Sequence, residues 1–469
     1  MQVNPNIFRE YDIRGEVDKD LSPELAHDLG CAFATYAFHQ GIKSLVVGRD
    51  MRLSSPAYHD AVIAGLLESG ADVLDIGMVP TPAFYYSFQR YDRWGGIMVT
   101  GSHNPPEFNG FKLCIGKSTI YGEQIQRLYQ VLLAGKFIKG KGTLTKEDIL
   151  PDYEDEIAKR MGSLCGHPLV VLDAGSGEAG PIVPKLLSDL GVVVTPLYCE
   201  PDGHFPGHFP DPTVPANMEE LKDTVLELGA DCGIAFDGDA DRIGVIDDKG
   251  GIVWGDRLLA IYAREILKEH PGGKIIFEVK CSQALVEDVL AHGGVPIMWK
   301  TGHSLIEAKI HEEKALLAGE MSGHMYFADN YYGYDDAIYA ACRLVKILDA
   351  EKRPLSEMLA ELPQYVSTPE IRKDCPDSIK FKVVERVKAE YVKKYDCITV
   401  DGVRVQFGDG WGLVRASNTQ PVLVLRFEAK TQERLDEITQ MMEKSTDEAI
   451  EAEGGLPKPA GKNGNNHKR

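Results

Sequence analysis

Near-continuous runs of valine, isoleucine and leucine alternate along this chain with polar loops and with stretches whose apolar positions recur at helical spacing. "KSLVVGRDMRLSSPAYHDAVIAGLLESGADVLDIG" reads as strand, polar loop, helix, glycine and strand. "HPLVVLDAGSGEAGPIVPKLLSDLGVVVTPL" and "GGKIIFEVKCSQALVEDVLAHGGVPIMW" follow the same plan. Each is a βαβ unit, and strands that are apolar at nearly every position belong to a parallel sheet covered on both faces. The pattern therefore predicts three α/β domains of similar build, at 1–148, 149–251 and 252–364. After Leu362-Pro363 it changes. A helical run over 379–394 precedes "CITVDGVRVQFGDGWGLVRASN", where Asp401-Gly402 and Gly408-Asp409-Gly410 are hairpin-turn signals. "VLVLRFEAK" and a closing helix complete a smaller α+β domain, 365–455. The stretch "LPKPAGKNGNNHKR", 456–469, has no hydrophobic period and reads as a mobile tail.

Composition narrows the setting without changing that picture. A chain of 469 residues, 43% hydrophobic and 26% charged, has room for three or four ordinary globular domains and ample cores. Its 51 Lys and Arg against 71 Asp and Glu give a net charge of −20, which argues against nucleic acid or an anionic membrane as the main partner. The first residues, "MQVNPNIFRE", are polar, and no run approaches about 18 apolar residues, so neither a signal peptide nor a spanning helix is expected and the cytoplasm is the expected location. Nine cysteines, odd in number and never spaced C-x-x-C, fit free thiols better than a disulfide frame or a zinc site.

Chemistry concentrates in loops at strand ends, where ligands of α/β sheets bind. "GRD", "DAGSG" and "VKCS" lie at such ends and also read as plain connections. In "MVTGSHNPPEFNGFK", Ser102 stands between Gly101 and His103; the run is either an ordinary loop, relaxed by glycine and ended by proline, or a loop that holds a nucleophilic hydroxyl at the mouth of a sheet. In "CGIAFDGDADRIGVID", Asp237, Asp239 and Asp241 recur at every second residue, a spacing that in extended backbone turns three carboxylates to one side. Such a set is a solvated acidic turn or a site for a cation with oxygen ligands, Mg²⁺, Mn²⁺ or Ca²⁺. An EF-hand is excluded, since Arg242 stands at its glycine position and Asp248 at its final glutamate. "ALLAGEMSGHMYF" places Glu320, Ser322 and His324 alternately, a set able to hydrogen-bond vicinal hydroxyls or to close a structural loop. "LVRASNTQPVLVLRFEA" offers Arg415, Ser417, Asn418 and Thr419 in a turn between strands: a phosphate cradle or a plain hairpin tip.

Taken in order, "TGSHNP", "DGDADR", "GEMSGH" and "RASNTQP", with "FREYDIRG" near the start and "KTGHSLI" at 300–306, resemble the α-D-phosphohexomutase family, and within it the bacterial phosphomannomutase/phosphoglucomutase branch. The resemblance implies four domains around a central cleft and a phosphoserine at Ser102, with Asp237, Asp239 and Asp241 holding one Mg²⁺ against its phosphate. It implies further that Arg14, Lys112 and Arg242 line the reacting end with His103, and Tyr11 close by. Lys280 and His303 would face the substrate, with His303 and His324 as candidate proton-transfer groups because imidazole titrates near neutral pH. Glu320 and Ser322 would hold sugar hydroxyls, and residues 415–419 the distal phosphate. The implied reaction interconverts hexose 6-phosphate and hexose 1-phosphate through a 1,6-bisphosphate that turns around in the cleft, with glucose or mannose 1,6-bisphosphate as activator and a monomer or weak oligomer as the working form. Rotation about 362–366 would open and close the site. Phosphoglucosamine mutase is a competitor inside the family, Met321 favouring the mannose/glucose branch. Outside it stand a haloacid dehalogenase-like phosphatase with Asp237 as nucleophile and a non-catalytic phosphosugar-binding protein.

Overall fold

The computed structural model describes residues 3–455; the predicted tail at 456–469 lies outside the described residues. The first sheet contains β1 (Ile13–Glu16), β2 (Ser44–Arg49), β3 (Asp72–Met78), β4 (Gly95–Val99), β5 (Phe108–Ile115), β6 (Ser118–Thr119) and β7 (Thr143–Lys146), in the order β1-β5-β4-β2-β3-β7 with β6 beside β5. The second, in the order β12-β11-β10-β8-β9, contains β8 (Leu169–Asp173), β9 (Val193–Leu197), β10 (Cys232–Phe236), β11 (Ile243–Asp247) and β12 (Ile252–Val253). The third, β14-β13-β15-β16, contains β13 (Lys274–Glu278), β14 (Val295–Trp299), β15 (Leu317–Gly319) and β16 (Met325–Phe327).

One arrangement runs through all three. A βαβ unit supplies two parallel strands (β2 and β3, β8 and β9, β13 and β14), and a third parallel strand joins on the other side of the first (β4, β10, β15). The chain then turns straight back into an antiparallel strand (β5, β11, β16). The sheets are therefore mixed rather than all-parallel as expected, because composition and periodicity do not encode strand direction. The consequence is functional. The serine, aspartate and "GEMSGH" loops are the same connection in three copies, the turn from the parallel strand into the antiparallel one.

A shared core explains why residues 1–362 form one compact unit. Buried side chains of the first sheet (Val46, Leu74, Met98), the second (Val170, Leu172, Ile234) and the third (Ile275, Phe277, Leu317) belong to one apolar cluster. The helix Leu150–Met161 joins it by burying Tyr153, Ile157 and Met161, which lie four residues apart on one face.

The described residues from 363 onward form the second unit. Its described part holds an antiparallel sheet of β17 (Val366–Ser367), β18 (Ile371–Asp374), β19 (Asp396–Ile398), β20 (Val403–Gln406), β21 (Gly410–Ala416) and β22 (Val422–Ala429). The two turn signals connect β19 to β20 and β20 to β21, with Gly402 and Gly408 at φ of 78° and 84°. The expected helical run is the helix Lys380–Tyr391. Among the described residues no cysteines are paired, and no helix is long and apolar enough to cross a membrane.

Candidate active site

Ser102 sits in the turn between β4 and β5, 2% exposed, with a left-handed φ of 49° that non-glycine residues rarely adopt. Its amide donates to Thr100 Oγ1 (2.9 Å), its hydroxyl donates to Asp237 Oδ2 (2.8 Å), and His103 Nδ1 lies 3.0 Å from the serine Oγ. The space beside Gly101 is filled by Arg52: a Cβ at residue 101 would stand 2.3 Å from Arg52 Nε.

The three aspartates converge, but by a different route from the one expected. Residues 237–241 form a tight turn rather than extended backbone, with Ala240 at φ 58° and its amide donating to Asp237 O (3.1 Å). One ligand oxygen from each aspartate lies within 4.8 Å of the others, and all three residues are buried. Asp237 Oδ1 accepts the amides of Asp241 and Arg242, both at 3.1 Å. Asp239 Oδ2 accepts from Thr81 Oγ1 (2.6 Å) and Thr100 Oγ1 (3.1 Å). Lys112, reaching in from β5, meets Asp239 Oδ2 at 2.9 Å and Asp241 Oδ2 at hydrogen-bond distance.

Asp239 Oδ1 and Asp241 Oδ1 remain buried without a hydrogen-bond partner. Orphaned acceptors of this kind are costly unless a cation takes them. Burial, reinforced by Asp241 and Asp239, pushes the Asp237 carboxyl well above the usual range; at Asp241 burial is outweighed by Lys112, His324 and Arg242, which hold that carboxyl well below it. An all-oxygen set with two unpartnered oxygens fits a hard divalent cation.

Cationic and imidazole side chains gather around this centre. Arg14, on β1, pairs with Asp12 (2.7 Å) and donates to Asn104 Oδ1 of the serine loop. Burial opposes the charge on Lys112, yet Asp239 and Asp241 raise its pKa. His103 is kept neutral by burial and by Arg242 and Arg14. His303, first residue of the helix His303–Glu313, has its pKa pushed down to about 4 by burial, with Lys112 and His324 adding to the effect. Its ring lies 6.0 Å from that of His324 and 5.9 Å from that of Tyr11, whose hydroxyl donates to Thr301 O (2.7 Å). His324 Nδ1 is 2.9 Å from Asp335, while Arg242 Nε donates to His324 Nε2 (3.0 Å). Burial disfavours the imidazolium, but Asp241 and Asp335 raise the pKa of His324 overall. The Arg242 bond requires a bare Nε2, so a proton arriving there displaces Arg242.

In the third loop, Gly323 adopts φ 95° and lies so close to the aspartate loop that a Cβ would stand 2.2 Å from Ile243 O. Glu320 Oε1 accepts the Gly302 amide (2.7 Å), and burial, with Glu278 adding to it, raises its pKa. Lys280, just past β13, lies 3.3 Å from Glu278, and Ser322 is half-buried. The fold thus brings the serine, aspartate and "GEMSGH" loops together within one unit. It also adds residues the sequence reading missed, namely Thr81, Thr100, Asp335 and Arg52.

Arg415, Ser417, Asn418 and Thr419 belong to the C-terminal unit, at the turn between β21 and β22. Arg415 Nε donates to Asp401 Oδ2 (2.9 Å). Ser417 Oγ accepts the amides of Thr419 (3.4 Å) and Gln420 (3.2 Å), and Lys380 Nζ donates to the Ser417 carbonyl (2.6 Å). Thr419 is exposed and Asn418 half-buried.

Comparison with known proteins agrees with this arrangement. Four family models match in order: phosphoglucomutase/phosphomannomutase alpha/beta/alpha domain I at 5–139, domain II at 152–251, domain III at 254–366 and the C-terminal domain at 370–445. A phosphomannomutase/phosphoglucomutase of Pseudomonas aeruginosa is 46% identical over 435 residues, covering 92% of this chain and 94% of that protein. A phosphoglucomutase of Neisseria gonorrhoeae is 44% identical over 442 residues, covering 93% and 95%. The crystal structure of a phosphoglucomutase/phosphomannomutase family protein from Burkholderia thailandensis superposes with a TM-score of 0.90 at 40% identity, covering 97% of this chain and all of that one. The chain belongs to the phosphoglucomutase/phosphomannomutase family, the bacterial branch of the α-D-phosphohexomutases.

Proposed function

We propose that this phosphohexomutase interconverts the 6- and 1-phosphates of mannose and glucose, with Ser102 as the residue that gives and takes the phosphoryl group. The observation that carries this reading is a buried serine hydroxyl 2.8 Å from an aspartate whose two neighbours in the turn keep unpartnered oxygens. Asp237, Asp239 and Asp241 would hold one Mg²⁺, which when bound would supply charge stabilisation for the phosphate. Phosphoryl transfer asks the protein mainly for position and charge. Lys112, Arg14 and Arg242 supply cations at the reacting end. The P–Oγ bond of phosphorylated Ser102 breaks as a sugar hydroxyl oxygen bonds to phosphorus, the hydroxyl proton passes to a base, for which His303, neutral at pH 7, and His324 are the candidates, and Ser102 Oγ takes up a proton to become the free hydroxyl again. His103 stays beside the serine as a neutral imidazole.

Glu320 and Ser322 anchor sugar hydroxyls, Tyr11 and Lys280 flank them, and Arg415, Ser417, Asn418 and Thr419 take the phosphate that is not reacting. The 1,6-bisphosphate reorients between half-reactions, and added bisphosphate re-primes enzyme that has lost its phosphate. A cytoplasmic location and a monomer or weak oligomer belong to the same reading, and a net charge of −20 disfavours nucleic acid and anionic membranes as partners. A rival mechanism with Asp237 as nucleophile fits poorly, because that carboxylate already accepts two amides and the serine hydroxyl.

Two tests follow. Asp239→Asn, which removes one charge without changing shape, is expected to weaken Mg²⁺ binding tenfold or more by calorimetry and to lower kcat by about 10²-fold; undiminished binding would remove the metal assignment. If Glu320 and Ser322 hold hydroxyls common to both epimers, mannose and glucose 1-phosphates turn over with kcat/KM within about tenfold of each other, roughly 1.4 kcal/mol. Glu320→Gln then impairs both about equally. Steady-state kinetics with both sugars, and with glucosamine 1-phosphate as a third arm, checks this, and loss of one activity alone would contradict it.

A further inference from the structure

Arg52 has no part in the reaction as described, yet it is among the most deeply buried charged side chains in the chain, 1% exposed. Its two terminal nitrogens reach the serine loop from behind. Nη1 donates to the carbonyls of Pro105 (2.7 Å) and Phe108 (2.9 Å), and Nη2 donates to those of Ser102 (2.8 Å) and Asn104. Asp50 positions both partners: it lies 3.3 Å from Arg52 Nε, and it accepts the amides of Arg52 (3.0 Å) and Gly101 (2.9 Å). One face of the guanidinium is covered by Phe205, from the 198–214 connection that follows β9, with the ring centroid 5.2 Å from Cζ. Gly101 has no side chain where one would collide with Arg52.

Four carbonyls gathered on one guanidinium do for this loop what a sheet ladder does for a strand. Pro105 and Pro106 have no amide hydrogen with which to build a regular turn, and Ser102 is held at a φ of 49° that costs energy unless its surroundings impose it. A planar fork with donors on two nitrogens can satisfy several acceptors at fixed angles, which a lysine ammonium cannot. The same guanidinium keeps the carbonyls dry. Without it water would take those carbonyls, one of which is Ser102's own.

We propose that Arg52 is the positioning residue of the serine loop: it sets the line of attack at Ser102 and protects the phosphoserine from water. The inference rests on the phosphoserine reading above. The loss it prevents is hydrolysis, in which a water oxygen bonds to phosphorus as the P–Oγ bond breaks, the water proton passes to Oγ, and inorganic phosphate leaves.

The test uses full-length protein loaded with glucose 1,6-bisphosphate, then desalted, with phosphate on the Ser102 peptide followed by mass spectrometry over time. kcat and KM for glucose 1-phosphate are measured in parallel. Arg52→Lys is expected to lose phosphate about tenfold faster than the native protein, and to show kcat lower by about 10²-fold with KM within about threefold, because sub-ångström misplacement affects the transfer step more than sugar binding. Phe205→Leu, which uncovers the guanidinium but leaves it in place, is expected to shift both quantities the same way by less, and it decides the matter should the lysine variant not fold. If the native protein takes no phosphate on Ser102, the phosphoserine reading fails and this inference fails with it. If the native protein is phosphorylated but the folded variants keep their phosphate as long and turn over as fast per molecule, the reaction stands and Arg52 is only a structural residue; a lowered melting temperature alone has the same meaning.

Discussion

Replacing Ser102 with alanine is expected to lower turnover by about 10⁴-fold or more while leaving the protein folded, as removal of a covalent nucleophile does elsewhere. The fold should survive because the hydroxyl contributes only its contacts with Asp237 and His103, and loss of one such buried hydrogen bond costs about 1–2 kcal/mol. Backbone strain is unchanged, since alanine at φ 49° is no worse placed than serine. The measurement pairs a coupled mutase assay with incubation in labelled glucose 1,6-bisphosphate. The native protein is expected to carry acid-stable label on the Ser102 peptide, and the alanine variant none. Label that persists in the variant would move the nucleophile elsewhere, and label lost in acid from the Asp237 peptide would point to an acyl phosphate. Turnover within tenfold of the native value would remove Ser102 from the chemistry altogether.

What could be read in the sequence, and what could not, divides on physical grounds. The βαβ units are visible because β2, β8 and β13 and their helices carry strong local periodicities that tertiary contacts reinforce rather than override. The turn from β4 into β5 is not, because neither composition nor periodicity gives strand direction: Phe108–Ile115 carries Asn109 and Lys112 and is still buried along most of its length, antiparallel to β4. The alternate spacing of the aspartates points to one shared site through an extended backbone that the chain does not adopt; they converge because Ala240 turns the chain. Thr81 and Arg52 escaped notice since their partners lie far along the chain: Thr81 meets Asp239 across 158 positions and Arg52 meets the Ser102 carbonyl across 50. Among local signals, only the "VPTP" run that closes β3 marked Thr81 as a strand-end residue.

Lys112→Met should be the most informative change at the aspartate centre, because it separates stability from catalysis. Lys112 Nζ bonds Asp239 and Asp241 with almost no exposure to water, 4% for its side chain. Apart from Arg242, 4.0 Å from Asp237, it is the only cationic side chain described within ion-pair distance of Asp237 or Asp239. Removing one partner of a buried pair leaves the others desolvated and uncompensated, typically at a cost of about 3–5 kcal/mol. In chelator the variant should therefore unfold at markedly lower denaturant than the native protein. Its carboxylates will respond by taking protons, so the deficit should shrink as pH falls: groups whose folded pKa has risen bind more protons folded than unfolded and are stabilised by acid. Saturating Mg²⁺ should restore much of the loss, since a ligand bound only by the folded state adds about 2.7 kcal/mol at a hundred times its dissociation constant. Turnover should not recover with it. The ammonium would still be missing from beside the phosphate, and kcat should stay about 10²-fold down or more even where the fold is fully populated. Denaturant titrations with and without Mg²⁺, set against kcat at saturating Mg²⁺, separate the two effects. A variant as stable as the native protein in chelator, or one whose kcat returns with Mg²⁺, would mean that Lys112 serves the fold or the metal but not the transfer of the phosphoryl group.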